Sequence, residues 1–574
     1  MKVFFEAYEY PIEVLRQYLS PYFYHAGKTQ GKGIIGHVGY FFNVNQEDPS
    51  CSDSVFILPK VFINASNCPF ELEWMKPEDV IELDTENECM IENGIPQLVF
   101  GLSVWIYKAI EFYQHRNTES KSVSDAKIQN VVSNKNDESE TFLDVILQLI
   151  AFHKKHRSLL TYISIVNSSN KNKIHWAKTI SHEQPVIRGG KPAYVSFRAK
   201  GKVINYDEEL IVLFYSALEY VRQKYHFKVM LDVQYKLLPT HKIQSMIDSC
   251  KGTRLLKSIR RKYFTDELVA LWNLLYVFFD KSERIANKRY HEETLLVKDF
   301  QNVFEDMVDY LISDENYPEE LKNQDDGKIV DHLYKDKSLV YDELIYYVGD
   351  SKYYKPGELV GKNSIAKQYT YAKNIIQRNI NVWEGFDTKK DRSKRDYLPY
   401  RDERTHGYNI TPNFFISGVV KRDENGYNAD ENFENVLDGL LLNRHYDDRL
   451  FDRDTLILQR YNINFLYVLT SYAAQQQSDR EAFRAIARRT FSTDLKRVID
   501  DNYHIYQIVI PEGETIQQIV RDNYWELEGK VFSYGDVLLY ATRNEIENNL
   551  LFMTKRTLQL REIKLVSNNN ANKA

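Results

Sequence analysis

Residues 344–355, LIYYVGDSKYYK, carry the aromatic and β-branched residues of a strand, and the period of a strand puts a polar pair on an apolar face. Tyr346, Val348, Asp350 and Lys352 share one side of it. The acid and the base, two positions apart, then stand next to each other. A carboxylate drawn toward an apolar face is costly unless it is paired or binds a metal. Any fold that contains this strand has to meet that cost.

The neighbouring segments repeat the theme. GKIVDHLY, from Gly327, predicts a short strand with Ile329, Asp331 and Leu333 on one face, so a second acid sits between apolar neighbours. Nineteen residues separate Asp331 from Asp350, enough for two adjacent strands, with KDKSLVYDE as the turn between them or a further short strand. Upstream, EETLLVKDFQNVFEDMVDYLI predicts a helix whose Leu296, Phe300, Val303, Phe304, Met307 and Leu311 form one buried face, with Glu305 at its margin. Downstream, NSIAKQYTYAKNIIQ predicts a helix with Ile365, Tyr369, Ala372 and Ile376 as its apolar stripe, flanked by Gln368 and Tyr371.

Carboxylates gathered this way suit phosphodiester hydrolysis. Two or three of them can hold Mg²⁺, a hard cation that takes oxygen ligands and keeps several waters, with Mn²⁺ able to substitute. The ion lowers the pKa of bound water, and a lysine beside it can orient that water and screen the developing charge. A lone Asp-x-Lys is common and usually structural. The order of helix with Glu, strand with Asp, strand with Asp-x-Lys and helix with Gln and Tyr is more specific.

That order resembles the PD-(D/E)xK nuclease core, and the wording is similar to the LlaJI family of restriction endonucleases, relatives of McrC-type nuclease subunits. The residues carrying it are VFEDMVDYLI, DGKIVDHLYKDKSLVYDELIYYVGDSKYYKPG, KQYTYAKNI and FDRDTLILQRYNINFLYVL, with FILPKVFI as a weaker N-terminal match. It is strongest over 295–475. The resemblance implies metal ligands Asp331 and Asp350, catalytic Lys352, and Glu305 and Gln368 as supporting members, with Glu305 a further candidate ligand. Val330 stands where the family name has its Pro. The resemblance also implies double-stranded DNA as substrate and a McrB-like GTP-hydrolysing AAA+ partner. A non-catalytic adaptor subunit and a RecB-like repair nuclease working with a helicase are the alternatives.

The expected fold is α/β: an N-terminal α+β domain (1–116), a flexible linker (117–140), a mainly helical region (141–285), an αβββαβ nuclease core (286–480) and a C-terminal extension (481–574). The linker assignment rests on the lack of aromatic residues between 117 and 140. A net charge of −6 argues against a protein that coats DNA, but a local basic stripe is enough for a DNA enzyme. Lys389, Lys390, Arg392, Lys394 and Arg395 are the candidate backbone contacts, with a solvated loop as the ordinary alternative. A second basic run, KGTRLLKSIRRKYF from Lys251, is read as a solvated helix face, and His153 and His156 as surface residues.

No nucleotide site is expected. GELVGKNS, from Gly357, has three residues between its glycines and Asn after its lysine, and GKGIIG, from Gly31, precedes a strand where a dinucleotide fold needs a helix. No apolar run reaches the ~18 residues of a membrane span. The four cysteines show no CxxC spacing, which fits reduced thiols and a cytoplasmic location.

Overall fold

Two mixed five-stranded sheets organise the chain, accompanied by smaller sheets and many helices. The computed structural model describes residues 2–566 apart from short stretches, the longest being 44–52, 83–89, 120–130, 134–141, 287–292, 385–397, 436–447 and 544–557.

The first sheet starts with β1 (Lys2–Phe5), β2 (His37–Asn43) and β3 (Asp53–Leu58). β1 runs parallel to β3, and β2 antiparallel to it. Helix α1 (Ile95–Glu119) packs on this sheet, the Tyr107 ring meeting Tyr40 edge-on. A short strand, β4 (Val131–Ser133), lies within the segment expected to be linker; its two valines favour extended backbone. The helices α2 (Phe142–Lys155), α3 (Glu209–Tyr225), α4 (Thr240–Asp248), α5 (Lys251–Ile259) and α6 (Asp266–Ala286) follow. Half-buried His153 packs edge-on against Tyr215, so it is not the surface residue expected.

Strand β5 (Glu293–Lys298) then returns to the first sheet, between β2 and β4 and antiparallel to both. This corrects the expected helix over 292–312. Leu295, Leu296 and Val297 are all buried, so both faces of the segment are covered, as in a central strand. Gly39 lies at the crossing: a Cβ there would come within 2.3 Å of the Leu295 carbonyl oxygen, and its φ of +136° suits glycine. The helix begins only after Asp299, itself at positive φ, and α7 (Gln301–Ile312) buries Val303, Phe304, Met307, Val308 and Leu311.

The second sheet holds β6 (His332–Lys337) and β7 (Leu344–Lys352), the long helix α8 (Lys362–Glu384), then β8 (Pro412–Val419), β9 (Phe433–Asn435) and β10 (Ile457–Asn464). Its order is β6–β7–β8–β10–β9. β6 and β7 form an antiparallel hairpin, while β7, β8 and β10 are parallel. Two strands rather than the expected three stand between α7 and α8 among the described residues, because 338–343 closes the hairpin through a Ser338 N–H to Glu343 carbonyl bond of 2.7 Å. Every residue of β7 from Ile345 to Ser351 is buried. Helix α8 covers one face, and the other meets α7, α9 (Phe465–Ala474) and α10 (Gln477–Asn502). The Phe414 ring, for example, stacks on Phe491 of α10.

α10 also fastens α7. Arg480, Arg484 and Arg488 recur every fourth residue and so share one helix face. Arg480 Nε donates to the Tyr310 carbonyl at 2.7 Å, Arg484 Nε to that of Leu311 at 3.3 Å, and Arg488 Nη2 to that of Ile312 at 2.6 Å. The last carbonyls of a helix lack partners within it and carry partial negative charge, so three cations there satisfy both needs. Arg488 also pairs with Asp314 at 2.7 Å. The chain closes with a four-stranded sheet of β11 (Tyr503–Val509), β12 (Val531–Tyr534), β13 (Val537–Arg543) and β14 (Gln559–Ile563). Among the described residues no helix is long and apolar enough to cross a membrane.

Arg488→Ala should lower stability by about 1–3 kcal/mol, since it strips donors from a carbonyl and a carboxylate that are partly buried. Urea unfolding of the two proteins measures this, and an unchanged midpoint would show that the clamp contributes nothing.

Candidate active site

The geometry starts from β7. Asp350 is buried, Lys352 lies two residues on at the strand end, and their side chains form an ion pair. Across the hairpin His332 pairs with Gly349, which puts Asp331 opposite Asp350, just ahead of β6. Asp331 Oδ2 accepts from the Ser351 N–H at 3.0 Å, which ties the two strand ends together. Ile329 is 40% exposed, so the expected run of Ile329, Asp331 and Leu333 on one inward face is not found: strand pairing begins only at His332.

The acids feel one another. Burial first, then Glu305 and Asp350, push the Asp331 carboxyl well above the usual carboxylate range. Glu305 therefore belongs to the same electrostatic cluster, although it comes from α7, where its Oε1 accepts from Gln301 at 2.7 Å. Burial, followed by the Asp331 and Asp350 charges, also raises the Tyr371 phenol. Gln368 is buried beneath the strand and donates from Nε2 to the Val348 carbonyl at 2.9 Å and to Asn413 Oδ1 at 3.1 Å. Gln368 Oε1 and the Tyr371 hydroxyl are buried without a hydrogen-bond partner among the described residues. On α8 the buried side chains include Gln368, Tyr371, Ala372, Ile375, Ile376 and Asn379, so Ala372 and Ile376 of the expected stripe are buried, while Ile365 and Tyr369 are partly buried and pack against Phe415, Leu456 and Leu458.

A second polar group lies behind the sheet, and sequence reasoning missed it. His332 Nε2 meets Ser351 Oγ at 2.6 Å, and His332 Nδ1 lies 3.6 Å from Asp309 Oδ1. Asp309 Oδ2 is 2.7 Å from Lys322 Nζ. His332 and Ser351 follow Asp331 and Asp350 directly, so each strand carries polar side chains on both faces at the same level. That doubling is visible in the sequence and was the available signal.

The donor set suits a hard divalent cation better than zinc. Asp331 and Asp350 are oxygen donors that repel each other and Glu305 in a buried place, which a cation relieves. Among the described residues no group of three or more His, Cys, Asp or Glu side chains is placed to hold a metal by itself. A cation here would rest on Asp331 and Asp350, with Glu305 acting through its charge or through water. Lys389, Lys390, Arg392, Lys394 and Arg395 lie outside the described residues. Lys32–Ile35, within GKGIIG, is a strand paired on both sides. No protein-family model matches the chain, and no curated protein does either.

The buried Asp309 gives a pH test separate from activity. Burial raises its pKa, but Lys322 and His332 outweigh that and hold the carboxyl far below the usual range. A depressed folded-state pKa contributes stability that is present above the unfolded value near 3.9 and is lost as pH falls toward the folded one. Acid unfolding of the wild type should therefore steepen below about pH 4. In Asp309→Asn that part of the pH dependence should shrink, while neutral-pH stability drops by about 3–5 kcal/mol because Lys322 stays buried without its partner. Parallel pH–stability curves for the two proteins would refute the assignment.

Proposed function

We propose that the chain is a Mg²⁺-dependent DNA endonuclease with a PD-(D/E)xK-type core, the nuclease subunit of a GTP-dependent restriction system of the McrBC and LlaJI kind. The observation that carries this reading is the placement of Asp331 opposite Asp350 with Lys352 paired to Asp350 on the same strand. The order α7, β6–β7 hairpin, α8, then a strand parallel to β7 supports it. The double-stranded DNA substrate, the AAA+ GTPase partner and a cytoplasmic site of action follow from the family resemblance alone.

In this reading Asp331 and Asp350 would hold the ion, with Mn²⁺ able to replace Mg²⁺, and Glu305 would add negative charge to the site. The bound ion supplies a water of lowered pKa and charge stabilisation at the phosphate. Lys352 is paired with Asp350, where it can hold the attacking water or a phosphate oxygen. Gln368 fixes the level of β7 through the Val348 carbonyl and leaves Oε1 free to orient a donor. The Tyr371 hydroxyl, also unpartnered, stays protonated and can donate to an anionic oxygen. Lys389, Lys390, Arg392, Lys394 and Arg395 would add sequence-independent contacts to the DNA backbone.

Asp350→Asn and Lys352→Ala should each lower plasmid cleavage by about a hundredfold or more, with the chain assayed in its restriction complex. Chelation should stop the wild type, and added Mg²⁺ or Mn²⁺ should restore it. Cleavage at the wild-type rate by Asp350→Asn would remove the site from the chemistry and favour the adaptor reading.

A further inference from the structure

Strand register extends the candidate site sideways. Asp350 pairs with Phe415 of β8, and Phe415 with Arg460 of β10. Register partners in parallel strands project to the same face, so the three side chains form one row across the sheet. At about 4.8 Å per strand, Arg460 starts about 10 Å from Asp350. Lys352 Nζ stands 5.4 Å from the centre of the Phe415 ring. The row thus runs from carboxylate to aromatic ring to guanidinium, with the lysine over the ring.

Arg460 differs from the other arginines close to it in the fold. Arg480, Arg484 and Arg488 donate to helix carbonyls, and Arg453, whose Nε is also unpaired, donates from Nη2 to Gln377 at 2.9 Å. Arg460 is half-buried, its Nε is shut off from solvent without an acceptor, and no carboxylate or carbonyl among the described residues pairs with it. A guanidinium partly withdrawn from water without an acceptor is costly, and a bound anion removes the cost. Its planar fork suits a phosphate, which it can grip with two parallel hydrogen bonds. Phe415 beside it is buried against Leu456 and Leu458, giving the row a rigid apolar floor.

We propose that Arg460 binds a backbone phosphate of the DNA strand being cut, within about three nucleotides of the scissile bond, judged from the ~10 Å offset and the 3.4 Å rise per nucleotide. It holds the strand across Phe415 and so fixes which phosphate reaches the carboxylates. The contact carries no sequence information. This inference rests on the nuclease reading and names a substrate contact for it.

The test measures DNA binding and cleavage separately. The full-length wild type, Arg460→Ala, Arg460→Met and Arg460→Lys are titrated against a short mixed-sequence DNA duplex over a range of salt, with Ca²⁺ in place of Mg²⁺, and their melting temperatures are recorded. The Ala and Met variants should bind about tenfold more weakly or worse, and their salt-dependence slope should fall by about 0.9, the release of one phosphate contact. Arg460→Lys should recover the slope but only part of the affinity, because a point charge replaces the fork. Unchanged affinity and slope in the Ala and Met variants would overturn the proposal. So would a lowered melting temperature with an unchanged slope, which would assign Arg460 to the fold, and so would a wild type that does not bind the duplex. If the wild type binds but never cuts with Mg²⁺, the nuclease reading fails, and the slopes still decide for or against Arg460.

Discussion

The short helix α7 is held on every side by charge. Its Asp306 meets Arg116 of α1 at 3.2 Å and accepts from the Tyr472 hydroxyl of α9. Its Asp309 lies between Lys322 and His332. Its last carbonyls end in the guanidinium groups of α10. Three acids on twelve residues would be a poor helix in isolation, and it is tertiary pairing that makes it stable here. Helix α1, the β6–β7 hairpin and the helices α9 and α10 all pack against this one element. Glu305 is the acid of the three whose charge acts on Asp331.

That arrangement explains how the site can be poised without being rigidly neutral. Among the described residues Lys352 is the cation ion-paired with the buried acids, through Asp350. Asp331 is left to burial and to two like charges, so its carboxyl favours the proton. The network behind the sheet locks the backbone at Ser351 and His332, so the two acids cannot drift apart to escape each other. Local strain of this kind is what a divalent ion would relieve.

Some of this was legible in the sequence. β7 and α8 stand where their periods put them, because both are long and strongly patterned. Residues 293–298 were misread because Leu295, Leu296 and Val297 are buried on both faces, and an unbroken apolar run fits a helix as well as a central strand. The edge of β6 was misplaced by a few residues, which changed the surroundings expected for Ile329 and Asp331. The arginine clamp shows only as a fourfold spacing; its acceptors are backbone carbonyls some 170 residues earlier, and no side-chain pattern announces them. The Asp309–Lys322 pair and the Arg460 row depend on which strands lie side by side, a tertiary fact that local patterning does not contain.

β5 has a consequence for how the chain can be made. It fills the middle of the first sheet, between β2 and β4, yet it leaves the ribosome about 250 residues after β2 does. Until then β2 presents an open edge, rich in Phe and Tyr, in the growing chain. Closing that edge requires the helices between to fold or at least to stay out of the way, and long-range strand pairing of this sort is slow. A piece ending near residue 286 would keep its helices but lack the strand that covers Phe41 and Phe42, leaving it sticky rather than independently folded. The N-terminal half is thus completed from outside itself, and its assembly waits on the segment that leads directly into α7.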